Sequence, residues 1–166
     1  MKTISVAKGE VLQKAGSPKT NIYYVKSGLL RSYTIDKKGK EHIFMFGPEG
    51  WIVADSIAEN KPSVLYIDAI EASEVLVREK PNIIELRDPY PLLKRISVLQ
   101  ERILMLMSSS AIERYQHFVR SYPGISQRVT QRMIASYLGI TPEALSKVKK
   151  EHLKSSSEDP SFLNLD

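Results

Sequence analysis

The stretch Gln131-Arg-Met-Ile-Ala-Ser-Tyr-Leu-Gly-Ile-Thr-Pro-Glu-Ala-Leu-Ser-Lys-Val-Lys-Lys150 has the pattern of two helices joined by a tight turn. Gly139 falls where a left-handed residue ends the first helix at little cost. Thr141 and Pro142 suit the N-cap and the first turn of the second helix. The small Ala135 falls where the helices cross, and the residues expected to face inward are Ile134, Leu138, Leu145 and Val148. This pattern predicts a DNA-binding helix-turn-helix, and the alternative is an αα-hairpin within a larger helical core.

One face of the second helix carries the side chains expected to contact DNA. Glu143, Ser146, Lys147 and Lys150 are spaced i, i+3, i+4 and i+7, so they share a face. Glu143 can accept from a cytosine amino group, and Lys147 can donate to guanine. The groove-facing set is Thr141, Glu143, Ser146 and Lys147, the phosphate-facing set is Thr130, Arg132 and Lys150, and Pro142 completes the DNA-binding candidates.

The positive charge of the chain is concentrated on this region. The net charge is +5, and residues 120–154 carry seven Lys or Arg against two Glu. Cationic side chains placed there would release counterions from a phosphate backbone. The alternative is an ordinary solvated helix face.

Composition excludes several other classes of function. The chain has no cysteine, which excludes disulfides and thiolate metal sites, and no run of 18 apolar residues. The N-terminus has no apolar signal segment, so we expect a cytoplasmic protein with no contact to membranes. His42, His117 and His152 lack the spacing of metal ligands, and neither a P-loop nor a nucleophile elbow occurs. We therefore expect no enzyme activity, no cofactor and no metal.

Residues 1–79 read as a β-rich unit. Short apolar, β-branched or aromatic runs alternate with turn signals, a pattern typical of a sandwich or small roll. In the run from Leu30 to Ile35, the alternation is too mixed to assign an inward face. The predicted strands are Thr3–Ala7, Val11–Gln13, Ile22–Lys26, Leu29–Ile35, His42–Phe46, Val64–Ala69 and Glu74–Arg78.

After residue 80 the period becomes helical. A short helix is predicted over Pro81–Leu86 and a long one from about Pro91. The long helix carries an apolar stripe spaced 4, 3, 4, 3, which predicts a dimer interface, with plain core packing as the alternative. The stripe consists of Leu92, Ile96, Leu99, Ile103 and Leu106.

A second domain is predicted to begin after this helix. Ser110 and Glu113 form a capping-box pattern for a new helix running to about Tyr122. The domain boundary is placed at Ser108–Ser110. Residues 1–108 are expected to form a sensor domain with a dimerisation helix at about 90–108, and residues 109–166 the helix-turn-helix domain. A polar linker is predicted from Ser155, followed by a short strand at Phe162–Leu165.

The order of β-unit, heptad helix and helix-turn-helix resembles the bacterial catabolite-activator/FNR family of transcription regulators. The most specific match is Ile134–Lys147, in which Lys147 replaces the arginine that the family has there, and Tyr23–Arg31 resembles the family's first β-roll glycine segment. The resemblance implies an α+β fold: an N-terminal antiparallel β-roll of the double-stranded β-helix or jelly-roll type, a long dimerisation helix and a C-terminal winged-helix-type helix-turn-helix domain. Only a minimal wing is expected after the second helix.

The same resemblance implies the partners of the protein. They are double-stranded DNA, a second copy in a homodimer, RNA polymerase, and an unidentified small-molecule effector. The rival function is a ligand-binding or protein-interaction module that does not bind DNA and whose helical C-terminus merely docks.

The expected ligand pocket departs from the family pattern. Members that bind cyclic nucleotides hold the ribose with a glutamate and the cyclic phosphate bidentately with an arginine. Here the arginine position falls on Ser63, and no arginine occurs between Arg31 and Arg78. We therefore expect a sensor that does not bind cyclic AMP or that uses another ligand. The pocket candidates are Trp51, Val53, Asp55, Ser63 and Val64.

Overall fold

The computed structural model describes residues 2–55, 61–79 and 90–157, with the backbone alone at 90–95 and 155–157. The chain forms two compact units, residues 1–88 and 89–166. The predicted helix Pro81–Leu86 and the predicted strand Phe162–Leu165 lie outside the described residues, as does any wing after the last helix. No helix within the described part is long and apolar enough to cross a lipid bilayer.

The first unit is a roll of two four-stranded antiparallel sheets. One sheet has the order β1-β8-β3-β6 and the other β2-β7-β4-β5. Every pairing in both sheets is antiparallel. The strands are β1 (Lys2–Val6), β2 (Val11–Gln13), β3 (Asn21–Ser27), β4 (Leu30–Ile35), β5 (Glu41–Gly47), β6 (Ile52–Ala54), β7 (Tyr66–Ala69) and β8 (Ser73–Glu79).

The core of the roll lies between the two sheets. Val25, Val53 and Val75 face inward from the first sheet, and Leu30 and Ile67 from the second; all five are buried. Alternate residues of a strand point to opposite faces, so each strand contributes every second side chain to this core.

The seven predicted strands are confirmed, with ends that differ by one or two residues. The prediction missed β6, a three-residue strand that pairs with β3. It is too short to show an alternating pattern. The mixed pattern of β4 has a physical cause: residues 30–33 are all buried, and a bulge between Ser32 and Tyr33 shifts the register. A strand buried on both faces does not alternate between apolar and polar residues.

A buried ion cluster covers the outer face of β4. Arg31 forms two hydrogen bonds to Asp68, at 2.8 and 2.9 Å, and a third to Glu41 at 2.6 Å. Its guanidinium lies 4.2 Å from the ring centroid of Tyr33, which stacks on Tyr66. Burial would lower the pKa of Arg31, but the hydrogen bonds and charges of Asp68 and Glu41 raise it. The cluster thus joins β4, β5 and β7 by charge-assisted hydrogen bonds.

The second unit contains four helices. They are α1 (Tyr90–Ser108), α2 (Ala111–Ser121), α3 (Gln131–Leu138) and α4 (Pro142–Ser157), with a 3₁₀ turn at Ile125–Gln127. The capping box of α2 is confirmed, since Ser110 accepts from the Glu113 amide and Glu113 accepts from the Ser110 amide. The polar linker predicted from Ser155 is wrong at its start, because α4 continues to Ser157.

The compact units divide earlier than the boundary predicted at Ser108–Ser110. Helix α1 groups with the C-terminal helices, and the division falls between Asp88 and Pro89. The physical reason is a set of side-chain contacts from α1 to the later helices, including a hydrogen bond from Arg102 to the Tyr137 carbonyl. The Ser108–Ser110 junction is therefore a break between helices inside one unit.

Candidate nucleic-acid interface

Helix α3 ends at Gly139 as its sequence predicts, and Thr130 caps its start. The Thr130 hydroxyl accepts from the Met133 amide at the N-terminus. At the C-terminus Gly139 has φ of 67°. Its amide donates to the Ser136 carbonyl, and the Ile140 amide donates to the Ala135 carbonyl. This pair of bonds is a Schellman motif, which turns the chain sharply towards α4.

Helix α4 begins at Pro142 with a fixed N-terminus. The Thr141 hydroxyl accepts from the Ala144 amide at 3.2 Å, which confirms its role as N-cap. The pKa of Glu143 is lowered because its carboxylate accepts from its own backbone amide and from Thr141. The carboxylate is therefore ionised at neutral pH and held at the helix start, where the helix dipole favours negative charge.

The inward faces of α3 and α4 form the core of the second unit. Ile134, Ala135 and Leu138 of α3 are buried, as are Leu145 and Val148 of α4. Each was predicted to face inward or to lie at the crossing. This packing orients the opposite face of α4 towards solvent, because 3.6 residues complete each turn.

All eight DNA-binding candidates lie on the exposed side of this helix pair. The cations among them are Arg132, Lys147 and Lys150, and the one acid is Glu143. The Ser146 hydroxyl donates to the Pro142 carbonyl at 3.0 Å, which leaves its lone pairs directed outward. The exposed set is Thr130, Arg132, Thr141, Pro142, Glu143, Ser146, Lys147 and Lys150.

The apolar stripe of α1 is largely exposed within one chain. Ile96 and Ile103 are 43% and 55% exposed, while Leu99 and Leu106 are half-buried. Leu106 lies near the turn of the helix-turn-helix, since its Cδ2 atom is 3.7 Å from the position that a Cβ atom would occupy at Gly139. The side chain of Leu92 lies outside the described part.

Two of the five predicted pocket residues, Asp55 and Ser63, hold loops of the roll. The Asp55 carboxylate accepts from the amides of Val64 and Leu65, at 2.9 and 3.0 Å. The Ser63 hydroxyl donates to the Lys14 carbonyl. These two side chains are buried and paired, so they tie adjacent segments of the roll together.

The other three pocket candidates differ in exposure. Val53 is fully buried in the core, and Trp51 packs partly buried against that core. Val64 is 56% exposed. An open cleft of about 660 Å³ elsewhere in the roll is lined by none of the five candidates; its lining is Lys2, Ile4, Asn21, Val77, Arg78 and Glu79.

The described residues show no grouping of metal-binding side chains. Among them, no three His, Asp or Glu side chains lie close enough together to hold a metal ion.

His117 has a lowered pKa because of its burial and of the nearby charge of Arg120. Its ring nitrogen Nδ1 lies 3.4 Å from the Ser121 hydroxyl on the same helix.

Two arginines that the sequence reading missed hold the end of α3. Arg102 of α1 and Arg114 of α2 donate to the carbonyls of Tyr137 and Leu138, at 3.3 and 3.2 Å. Neither arginine belongs to a local motif. The capping box next to Arg114 indicates a helix start but gives no sign of the tertiary partner.

The matches to known proteins agree with this architecture. Residues 3–90 match the family model of the cyclic nucleotide-binding domain. FixK2 of Bradyrhizobium japonicum aligns with a TM-score of 0.78 at 20% identity, over 93% of this chain and 85% of that chain. A CRP/FNR-family transcriptional regulator of Thermus thermophilus aligns with a TM-score of 0.73 at 18% identity, over 93% of this chain and 87% of that chain.

Sequence relatives are regulatory proteins. The anaerobic regulatory protein of Pasteurella multocida is 31% identical over an alignment that covers 86% of this chain and 60% of that protein. Electron transport regulator A of Shewanella oneidensis is 30% identical over an alignment that covers 90% of this chain and 68% of that protein. The chain thus spans about 60 to 68% of the length of these relatives.

The fold defines the class of protein as a cyclic nucleotide-binding-type β-roll followed by a helix-turn-helix. With the sequence relatives, the family follows: the chain belongs to the catabolite-activator/FNR family of transcription regulators.

Proposed function

We propose that the protein is a sequence-specific regulator that binds double-stranded DNA through α4. The observation that carries the proposal is the exposed face of α4, where Glu143, Ser146 and Lys147 lie side by side opposite a fully buried face. A helix presented in this way fits the major groove, and its N-terminal residues reach base edges. The neighbouring Arg132 and Lys150 supply cations for the phosphates.

A homodimer completes the DNA site. A helix-turn-helix protein usually reads two half-sites related by a two-fold axis. The exposed Ile96 and Ile103 of α1, with the half-buried Leu99, offer the apolar seam that a twin helix would cover. RNA polymerase is the expected partner of the DNA-bound regulator. The expected compartment is the cytoplasm. The expected effector is an unidentified small molecule that binds the roll.

Replacing Lys147 with alanine tests the recognition face. Binding-site selection from random duplex DNA with the unaltered protein first supplies a preferred site. Lys147→Ala should then weaken binding to that site by about 1–3 kcal/mol and relax the preference for one base pair, because a base-edge donor is lost.

Lys150→Ala is the matched control, since it removes the same charge from the same helix. It should weaken binding to all sequences alike and reduce the slope of log affinity against log salt by about 1. Unchanged sequence preference in the Lys147 variant would contradict the assignment of α4 as the recognition helix. Absence of salt-dependent retention on random duplex DNA would favour the rival module without DNA binding.

The roll is expected not to bind cyclic AMP with micromolar affinity. Ser63 occupies the position that the resemblance assigns to the phosphate-binding arginine, and its hydroxyl donates to the Lys14 carbonyl. Arg31 is held by Asp68 and Glu41. Without an arginine at position 63, the cyclic phosphate loses its bidentate hydrogen bonds there and gains too little to offset its desolvation. Isothermal titration with cyclic AMP should therefore give no heat of binding. A saturable signal at micromolar ligand would overturn this expectation.

A further inference from the structure

Two guanidinium groups replace missing donors at the end of α3. Leu138 is the last residue of α3 and Gly139 leaves the helix, so no amide within the helix follows to bond the Leu138 carbonyl. Arg114 donates to that carbonyl, and Arg102 donates to the preceding one, of Tyr137. A cation at a helix C-terminus is also favoured by the helix dipole.

Arg114 binds the ends of two helices at once. Besides Leu138 of α3, it donates to the Leu106 carbonyl in the last turn of α1 at 2.7 Å and to the Ser109 carbonyl at 3.0 Å. The fork of a guanidinium allows these three bonds in fixed directions, which a lysine cannot reproduce. The end of α1 is therefore held against the turn that begins at Gly139.

Arg102 adds a second contact from α1 to the same turn of α3. Its Cζ atom lies 4.0 Å from the ring centroid of Tyr137. That ring is buried and packs against Phe118 of α2 and against Tyr122, which follows α2, with centroid distances of 5.6 and 5.5 Å. A cation over a ring fixed in this way resists both sliding and rotation of α3 relative to α1.

We propose that these contacts are a carbonyl latch (Arg102, Arg114 and the carbonyl oxygens of Tyr137 and Leu138) that fixes the direction of α4 relative to α1. The inference rests on the proposed function, in which α1 lies at the two-fold axis and α4 enters the groove. A dimer reads half-sites one helical turn apart, so the angle between α1 and α4 sets which spacing fits. Arg102 and Arg114 are positioning residues that select half-site spacing without contacting DNA.

The preferred number of base pairs between the two half-sites, here called the spacer preference, tests the latch. The probes are the duplex selected by the unaltered protein, the same duplex with one base pair inserted between the half-sites, and a single half-site. For Arg102→Ala we expect the ratio of affinities for the selected and the inserted duplex to fall about tenfold. Affinity for the single half-site should change less than about twofold, because the face of α4 is intact. The affinity ratio of Arg102→Lys, which keeps the charge and one donor group, should lie between that of the unaltered protein and that of Arg102→Ala.

Arg120→Ala is the control, since it removes an exposed arginine of α2 that lies outside the latch. It should leave spacer preference unchanged. Equal losses on the full site and the half-site, or an unchanged spacer ratio in Arg102→Ala and Arg102→Lys, would overturn the proposal.

A second readout needs no DNA. Hydrogen exchange at the amides of Gly139 and Ile140 should become faster in Arg102→Ala and Arg102→Lys than in Arg120→Ala. If the unaltered protein selects no duplex, the proposed function is wrong. The hydrogen-exchange rates alone then test whether the latch holds the end of α3. Unchanged exchange at these amides would then refute it.

Discussion

Replacing both Leu99 and Ile103 with glutamate is expected to convert the protein from a dimer to a monomer. The two substitutions place four carboxylates against one another across the two-fold axis, at positions that an apolar partner would cover. Burying unpaired like charges costs several kcal/mol, and each 1.4 kcal/mol weakens association about tenfold. Ile103 is 55% exposed in one chain, so its replacement leaves the fold of the monomer intact. Sedimentation velocity over a range of concentrations measures the dissociation.

Ser97→Glu combined with Val98→Glu is the matched control. It adds the same charge to the same helix on exposed positions outside the stripe. This variant should remain dimeric. A Leu99→Glu, Ile103→Glu variant that sediments as a dimer would place the interface elsewhere and would remove the basis for two-fold reading of DNA.

The features that the sequence predicted well are those that depend on neighbouring residues. The end of α3 follows from Gly139 and its positive φ, and the start of α4 follows from Thr141 and Pro142. The capping box of Ser110 and Glu113 likewise needs only a separation of three residues. Caps and turns are local, so one short stretch of sequence contains all their determinants.

The features that the sequence could not supply join residues far apart in the chain. Arg31 donates a hydrogen bond to Asp68, which is 37 positions away in the chain, and Arg114 donates to the Leu138 carbonyl, 24 positions away. Neither pairing has a periodic pattern, and each depends on how sheets or helices come together. The hydrogen bonds of Ser63 to Lys14 and of Asp55 to Val64 are of the same kind, since no local pattern in the sequence indicates these partners.

Replacing Arg31 with methionine is expected to destabilise the roll by about 3–5 kcal/mol. The substitution leaves Asp68, whose side chain is only 9% exposed, buried without its cation. Removing one partner of a buried ion pair costs far more than the net gain from the pair, because the remaining charge stays desolvated. Urea unfolding followed by the fluorescence of Trp51, the single tryptophan of the chain, reports on the roll.

Two further variants separate the buried charge from the loss of packing. Glu41→Gln removes the exposed partner, whose side chain is 45% exposed, and should cost about 0–1 kcal/mol. Arg31→Met combined with Asp68→Leu removes both buried charges and should recover much of the loss, since an apolar pair needs no compensation. If the double variant were as unstable as Arg31→Met alone, the cost would come from the stacking of Arg31 on Tyr33 and from packing, and the ion pair would contribute little to the stability of the roll.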